Sequence, residues 1–192
     1  MINLELYPIL LDNRKSLRET SKDTSDPNDI QYMTSLETEV VNFDLAKRHY
    51  ANGFGLSEEV VTSVDAIVPF ENGILFVEFK NGKVNNREIK DKARDSLLIF
   101  LEIIGEDLAF SRGNIDFVVV YNLEKNPLPR QVQRGQLQET PSRVSIANHF
   151  MEKAKKEFIC FDLERYERIY YRNIHTYSKE KFEEYLQTLR LG

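Results

Sequence analysis

Two carboxylates and one lysine are spaced so that a pair of neighbouring β-strands would bring them together. Asp65 precedes one apolar run, Glu78 and Lys80 end the next, and Asn72-Gly73 lies between the two runs. An Asn-Gly pair between β-rich runs is the strongest short-range signal for a tight hairpin turn. Pairing the strands about this turn sets Asp65 opposite Lys80 and puts all three charged side chains on one face. Buried charges are usually paired or bound to a metal.

The predicted hairpin is apolar on both faces apart from these charges. One face carries only apolar residues, namely Val64, Ala66, Val68, Leu75, Val77 and Phe79. The charged face also carries Ile67, Ile74 and Phe76. A hairpin with two apolar faces is typical of the middle of a covered sheet. An ordinary cross-strand ion pair at the rim of the sheet explains the same charges without any chemistry.

The spacing of the charged residues resembles the motif of the PD-(D/E)XK nuclease superfamily. Asp65 is followed after twelve residues by Glu78-Phe79-Lys80, and Val64 stands where the motif often has proline. The resemblance covers about residues 35–121. It implies an α/β fold, in which helices flank a central mixed β-sheet with a core of helix, hairpin, helix and strand. It also implies metal-dependent hydrolysis of phosphodiester bonds in DNA or RNA.

The resemblance further implies roles for the individual residues. Asp65, Glu78 and the carbonyl of Phe79 would hold Mg²⁺, with Mn²⁺ as an alternative, because hard oxygen ligands suit these ions. Lys80 would orient a water molecule, help to deprotonate it, or neutralise charge that develops in the transition state. A helix carboxylate, Glu37, would complete the metal site.

The helix expected to carry that carboxylate covers about residues 34–50. Glu37 is followed at +3 and +4 by Val40 and Val41, so it borders the predicted buried face, whereas Glu39 leans outward. Glu37 is therefore the preferred ligand of the two. A favourable charge at a helix N-terminus explains Glu37 equally well.

A second helix is predicted over Asn86 to Ile104, with Gly105 ending it. Members of the resembled superfamily often take a polar residue from this helix, and Lys92 is the candidate for a phosphate or leaving-group contact. A solvated Glu88–Lys92 pair at helical spacing explains the same lysine. The β-branched run from Ile115 to Tyr121 predicts a central strand, reached by a crossover from the helix.

Four basic residues are candidates for holding nucleic acid. Lys83 and Arg87 flank the start of the second helix, while Arg130 and Arg134 lie in a polar, proline-containing loop over residues 126–141. Arginine and glutamine side chains can reach phosphates and base edges. A solvated helix face and a disordered connector are the alternative explanations.

Length and composition favour one soluble globular domain. We expect an N-terminal arm and polar loop over residues 1–33, in which 3–11 form a short strand or a buried extended arm and 14–29 a polar loop. We expect a nuclease-like core over 34–121. We expect a C-terminal extension over 122–192 with a helix to about residue 157, a strand at 158–161 and a final helix from Ser178 to Leu191.

The net charge of −5 argues against a protein that coats nucleic acid through a basic surface. It favours a partner, either a second copy or another protein, that supplies part of the contact with nucleic acid. The expected nucleic acid is DNA, with RNA as the alternative that the sequence itself does not distinguish. A single cysteine, and an N-terminus without the pattern of a signal peptide or a membrane span, predict a cytoplasmic protein. Two alternatives to a nuclease remain: an inactive scaffold of the same fold that binds nucleic acid or protein, and a plain α/β interaction domain.

Overall fold

The computed structural model describes residues 3–127 and 159–191. These residues form a six-stranded mixed sheet covered by helices and a separate two-stranded sheet. The strands are β1 (Arg14–Ser16), β2 (Lys22–Asp23), β3 (Gln31–Tyr32), β4 (Glu39–Asn42), β5 (Ala66–Phe70), β6 (Gly73–Lys80), β7 (Ile115–Tyr121) and β8 (Asn173–Tyr177). The α-helices are α1 (Pro8–Leu11), α2 (Leu17–Thr20), α3 (Phe43–Gly53), α4 (Asn86–Ile104), α5 (Leu108–Asn114) and α6 (Lys179–Thr188). Short 3₁₀ turns lie at Leu4–Leu6 and Glu164–Tyr166.

The large sheet has an antiparallel half and a parallel half that meet at β6. Its strand order is β1-β4-β5-β6-β7-β8, and β2 pairs with β3 in the small sheet. β1, β4, β5 and β6 pair antiparallel, whereas β6, β7 and β8 pair parallel. A parallel connection needs a crossover, and α4 with α5 supplies the one between β6 and β7. The predicted class, α/β with a mixed sheet and flanking helices, is confirmed at this level.

The hairpin forms as predicted, but its register is two residues away from the expected one. The turn is Glu71-Asn72, and Ala66 pairs with Val77. Because side chains alternate along a strand, a two-residue shift leaves every side chain on the same face. The charged face is therefore kept, although continuing this register sets Asp65 opposite Glu78 rather than Lys80.

The hydrophobic core lies in two layers, one on each face of the sheet. Alternate residues of β6 divide between the layers, with Phe76 in one and Leu75 in the other. α4 covers the first layer through residues such as Phe100, while α6 covers the second through Phe182 and Leu186. The sheet is thus buried on both faces, as the two-sided apolar pattern predicted.

Helix α4 and strand β7 begin and end at the predicted residues. The Asn85 side chain caps α4 by accepting hydrogen bonds from the N–H groups of Arg87 and Glu88. Gly105 ends it in the left-handed conformation, at φ 70°. A non-glycine residue at such a φ would be strained, so the glycine sets this boundary.

The prediction of a helix over residues 34–50 was wrong for its first half. Residues 39–42 form β4, where Val40 packs into one core layer and Val41 into the other, as alternating residues of a strand do. The helix starts at Phe43 instead, and the side chain of Asn42 caps it by accepting from the N–H of Leu45 at 3.0 Å.

Three further predictions are corrected at the ends of the chain. The segment 14–29, predicted as a polar loop, contains β1, α2 and β2, and β1 is an edge strand of the large sheet. Residues 3–11 form a 3₁₀ turn and α1 rather than an extended arm. Residues 159–161 do not form the predicted strand; the strand in this part of the chain is β8.

The final helix is capped by Ser178 as predicted, and it ends at Thr188 rather than Leu191. The helix predicted up to residue 157 and the loop that carries Arg130 and Arg134 lie outside the described residues. Within the described ranges, no helix has the length and apolar character that a membrane crossing requires.

Candidate active site

Helix α4 fixes the segment that leads to Asp65. The Asp95 carboxylate accepts hydrogen bonds from the backbone N–H and the hydroxyl of Thr62, at 3.0 and 2.9 Å. One residue further along the helix, the hydroxyl of Ser96 accepts from the N–H of Val64 at 2.7 Å. These bonds attach the chain to the helix just before β5, and they set where the Asp65 carboxylate lies.

Asp65 and Glu78 face each other across β5 and β6, at the open end of the hairpin. The N–H of Asp65 donates to the carbonyl of Val77, which continues the ladder beyond β5. One oxygen of Asp65, Oδ2, accepts from the N–H of Phe79 at 2.6 Å. This bond directs the other oxygen, Oδ1, toward the site.

Two lysines approach these carboxylates from different elements. Lys92 Nζ, on α4, donates to Glu78 Oε1 at 2.8 Å and lies 4.0 Å from Asp65 Oδ1. Lys80 Nζ, at the end of β6, lies 3.4 Å from Glu78 Oε1 and donates to the carboxylate of Glu88. The structure thus brings together Asp65, Glu78, Lys80 and Lys92, four residues that the sequence singled out.

Glu78 is fully buried, and its two oxygens have different surroundings. Oε1 accepts from Lys92, whereas Oε2 is buried with no hydrogen-bond partner among the described residues. A buried polar atom without a partner is costly, so it marks a place where a proton or a ligand is missing.

Burial and proximity raise the pKa of both carboxyl groups. Burial, followed by the charge of Asp65, raises the pKa of Glu78 to about 8, against the pull of both lysines. Burial also raises the pKa of Asp65, although Lys92 and the N–H of Phe79 oppose it. Burial alone would lower the pKa of Lys92, but the charges of Glu78 and Asp65 outweigh this and raise it. A carboxyl pair with raised pKa values beside charged partners is typical of functional sites.

Glu37, the preferred helix ligand, does not lie with this cluster. Its side chain is 67% exposed and pairs with Arg18 at 3.8 Å, because residue 37 precedes β4 rather than lying on a helix. Glu39, the other candidate, is equally exposed and pairs with Arg14 at 3.2 Å.

The carboxylate that α3 does bring to the site is Asp44, in its first turn. Asp44 accepts from the hydroxyl of Ser63 at 2.6 Å, and its charge contributes to the raised pKa values of Asp65 and Lys92. The sequence signal that would have found Asp44 is the cap, since Asn42 with an acidic residue two positions later is a usual helix start.

The donor set fits a hard cation that keeps much of its own water. Among the described residues, no group of three or more His, Cys, Asp or Glu side chains could hold a metal ion. Mg²⁺ typically binds through only one or two carboxylates together with waters and substrate phosphates. Asp65 and Glu78 supply such a pair, and the unpartnered Oε2 of Glu78 is an oxygen that a cation could satisfy.

An open cleft of about 350 Å³ lies over Asp65, whereas the fully buried Glu78 does not line it. We call it the first cleft; it is lined by residues 20–25, Met33, Asp65, residues 79–83 and Lys92. Lys83, one of the predicted nucleic-acid contacts, is among the residues that line this cleft. Arg87 does not line it; its side chain is 92% exposed, and it lies 3.8 Å from Asp91.

The N-terminal segment forms one wall of the first cleft. The side chain of Asn81, just after β6, donates to Asp23 at 2.9 Å and thereby ties β2 to the end of the hairpin. The exposed Lys22 beside it adds a positive charge to this wall. These elements are only two to four residues long, which is too short for a periodic sequence pattern to predict them.

A second cleft of about 330 Å³ lies on the α3 side of the carboxylates. It is lined by Asp44, Lys47, Arg48, Glu58, Glu59, residues 61–63 and Lys92. Lys92 thus lines both clefts and lies at their junction.

Comparison of the chain with protein-family models, with curated proteins and with solved structures gave no match.

Proposed function

We propose that this protein is a metal-dependent nuclease that hydrolyses phosphodiester bonds of DNA or RNA. The observation that supports it most is the unpartnered, buried Oε2 of Glu78 beside a second carboxylate, Asp65, which lines an open cleft. A carboxylate left unsatisfied in this way has no evident structural purpose, and a cation would satisfy it. The likeness of Asp65, Glu78 and Lys80 to the PD-(D/E)XK motif points to the same chemistry.

Asp65 and Glu78 would hold Mg²⁺ or Mn²⁺, with the carbonyl of Phe79 as a further ligand. When bound, such an ion supplies a Lewis acid for phosphate oxygens and lowers the pKa of a coordinated water. The Phe79 N–H keeps the Asp65 carboxylate in place for this task by its bond to Oδ2.

The two lysines have separate tasks in the proposed reaction. Lys80 lines the first cleft, where its ammonium can orient the attacking water or neutralise charge on the phosphate. Lys92 lies at the junction of the two clefts and can pair with an oxygen of the scissile phosphate. Lys22 and Lys83 line the first cleft and would attract the neighbouring phosphates.

A second candidate function is a nuclease-like scaffold that binds nucleic acid without cleaving it. The observation that favours it is the ammonium of Lys92, which already neutralises Glu78 without any metal. Such a protein would bind nucleic acid equally well with and without divalent cations.

The test combines calorimetric titration of Mg²⁺ and Mn²⁺ with cleavage of DNA and RNA oligonucleotides. We expect the wild type to bind metal and cleave, and Asp65→Asn to lose metal binding. Lys80→Ala should lower cleavage by roughly 10²–10⁴-fold, the usual contribution of a positioned acid–base group. Asp91→Asn, a change at a half-buried position on the same helix as Lys92 that lines neither cleft, is the matched control.

A wild type that binds no metal at millimolar concentration would rule out the nuclease. Metal-independent binding of nucleic acid by wild type and Asp65→Asn alike would establish the scaffold instead.

A further inference from the structure

Lys92 lies where a metal ion would have to bind. Its ammonium contacts Glu78 Oε1 at 2.8 Å and approaches Asp65 Oδ1 at 4.0 Å, so it bridges the two carboxylates proposed as metal ligands. A divalent cation that took the same oxygens would be repelled by this charge. In the protein without substrate, the ammonium and the metal therefore compete for Glu78 and Asp65.

The ammonium of Lys92 can also turn away from the carboxylates and toward either cleft. Its side chain is 18% exposed and lines both the first and the second cleft. Lysine carries its charge on a flexible four-carbon stem, so a modest rotation moves Nζ without any backbone change. An anion in either cleft would compete with Glu78 for this ammonium.

Glu78 is closed to a cation while Lys92 stays in place, because it is fully buried and lines neither cleft. Lys92 and Lys80 both approach Oε1, whereas Oε2 has no partner among the described residues. One oxygen thus holds the lysines, and the other, which is buried, comes within reach of a ligand when Lys92 moves away.

We propose that a phosphate group of the substrate draws Lys92 away from Glu78 and Asp65 and thereby opens the carboxylates to the metal. The inference rests on the proposed function, and it adds a regulatory property to the same site. Metal and phosphate then bind with positive coupling, and each raises the affinity of the protein for the other by the same factor. Without nucleic acid, Lys92 keeps the affinity for metal low, so the loaded site forms only on substrate.

The test measures metal affinity with and without a phosphate that cannot be cleaved. Mn²⁺ is titrated by calorimetry into the wild type alone and into the wild type saturated with thymidine 5′-monophosphate, which has no phosphodiester bond. Binding of Mn²⁺ to the nucleotide alone is subtracted. We expect the nucleotide to tighten Mn²⁺ binding by about 5- to 150-fold, the usual range of coupling between two sites.

The Lys92→Met variant separates competition from simple proximity. Without its competitor, the variant should bind Mn²⁺ more tightly than the wild type does in the absence of nucleotide. The nucleotide should then have almost no further effect on the affinity. If this variant does not fold, Lys92→Gln, which keeps a hydrogen-bond donor, takes its place.

Lys90→Met is the matched control, since it removes an ammonium from the same helix. Lys90 pairs with Asp162 at 3.6 Å and does not line either cleft, so its loss should leave the coupling as in the wild type.

Equal Mn²⁺ affinity of the wild type with and without nucleotide would overturn the inference, as would coupling that persists in both Lys92 variants. A wild type that cleaves DNA but shows no coupling contradicts this inference alone. Coupling in a protein that cleaves neither DNA nor RNA contradicts only the proposed function.

Discussion

The two ends of the β6–β7 pair each bury a carboxylate beside a cation, and they treat it in opposite ways. At one end, Asp116 accepts from Arg172 through Nε at 2.9 Å and Nη2 at 2.7 Å, and from the side chain of Asn173 at 2.9 Å. At the other end, Glu78 accepts from Lys92 through Oε1 and has no partner at Oε2 among the described residues. Asp116 is thus saturated with hydrogen-bond donors at both oxygens, whereas Glu78 has donors from the described part of the chain at only one.

The saturated end is also held rigidly by its surroundings. Arg172 donates to the carbonyl of Asn72 at 2.7 Å and lies over the ring of Phe70, at 5.7 Å from its centroid. A bidentate guanidinium–carboxylate pair with further donors fixes geometry but leaves no position for a ligand.

The difference between the two ends teaches that burial of a charged group does not by itself identify a functional site. The informative sign is a buried acceptor that the fold leaves unsatisfied.

The largest expected effect is a difference in stability between variants at the two ends of the β6–β7 pair. Arg172→Met should lower the free energy of unfolding by about 3–5 kcal/mol, because it leaves the buried charge of Asp116 without its partner. Lys92→Met should cost less, since Glu78, whose pKa is already raised, can take up a proton instead. Urea unfolding of both variants in metal-free buffer measures the two losses. Equal losses would show that the two buried ion pairs contribute equally to the free energy of unfolding.

The next effect is a pH dependence that belongs to Glu78. Its pKa is raised to about 8 in the folded protein, so folding takes up a proton between its unfolded pKa of 4.5 and about 8. The contribution of Glu78 to the free energy of unfolding is therefore fully present below pH 4.5, and it is lost as the pH rises through 8. From pH 6 to 8 the metal-free wild type should lose on the order of 2 kcal/mol.

Glu78→Gln should flatten this part of the stability curve, since glutamine does not titrate. Glu124→Gln, at an exposed position, controls for the loss of one carboxylate. Identical curves for the wild type and Glu78→Gln would contradict the raised pKa.

The smallest effect compares one basic residue at each end of the sheet. Lys83 lines the first cleft, whereas Arg190 lies near the turn at the far end and pairs with Glu71 at 3.3 Å. Lys83→Ala should reduce the slope of log K against log salt concentration for DNA binding by roughly one, the loss of one phosphate contact. Arg190→Ala should leave the slope unchanged. Equal slopes for the two variants would exclude the first cleft as the nucleic-acid path.

Long elements with a clear period were predicted to the residue. Helix α4 has a continuous apolar stripe and ends at a glycine, and β7 is an uninterrupted β-branched run. The face shared by Asp65 and Glu78 was predictable as well, because side-chain alternation does not depend on the exact turn.

The register was missed because Gly73 serves packing rather than the turn. A Cβ at this position would lie 2.5 Å from the carbonyl oxygen of Asn114 and 2.9 Å from the Arg172 side chain. The glycine allows this close approach as the first residue of β6, and the turn itself is Glu71-Asn72. A sequence motif does not reveal which of two tasks a glycine has.

The error at Glu37 has a similar origin. Leu36, Val40 and Phe43 recur at spacings of four and three, which is the pattern of a helix. The structure instead uses Val40 in a strand and Phe43 at the start of α3, so the spacing spans the boundary between two elements. Asp44 is in the first turn of a helix only when this boundary is placed at Asn42, as the cap pattern indicates.

Strand β6 lies between an antiparallel and a parallel neighbour, and it carries both Glu78 and Lys80. Its amides should be among the slowest to exchange with deuterium, because they open only when the whole sheet opens. The wall formed by residues 20–25 depends on two-residue strands and a few side-chain bonds, so it should exchange much earlier. On warming, the protein would thus lose the enclosure of its site while the carboxylates still keep their spacing.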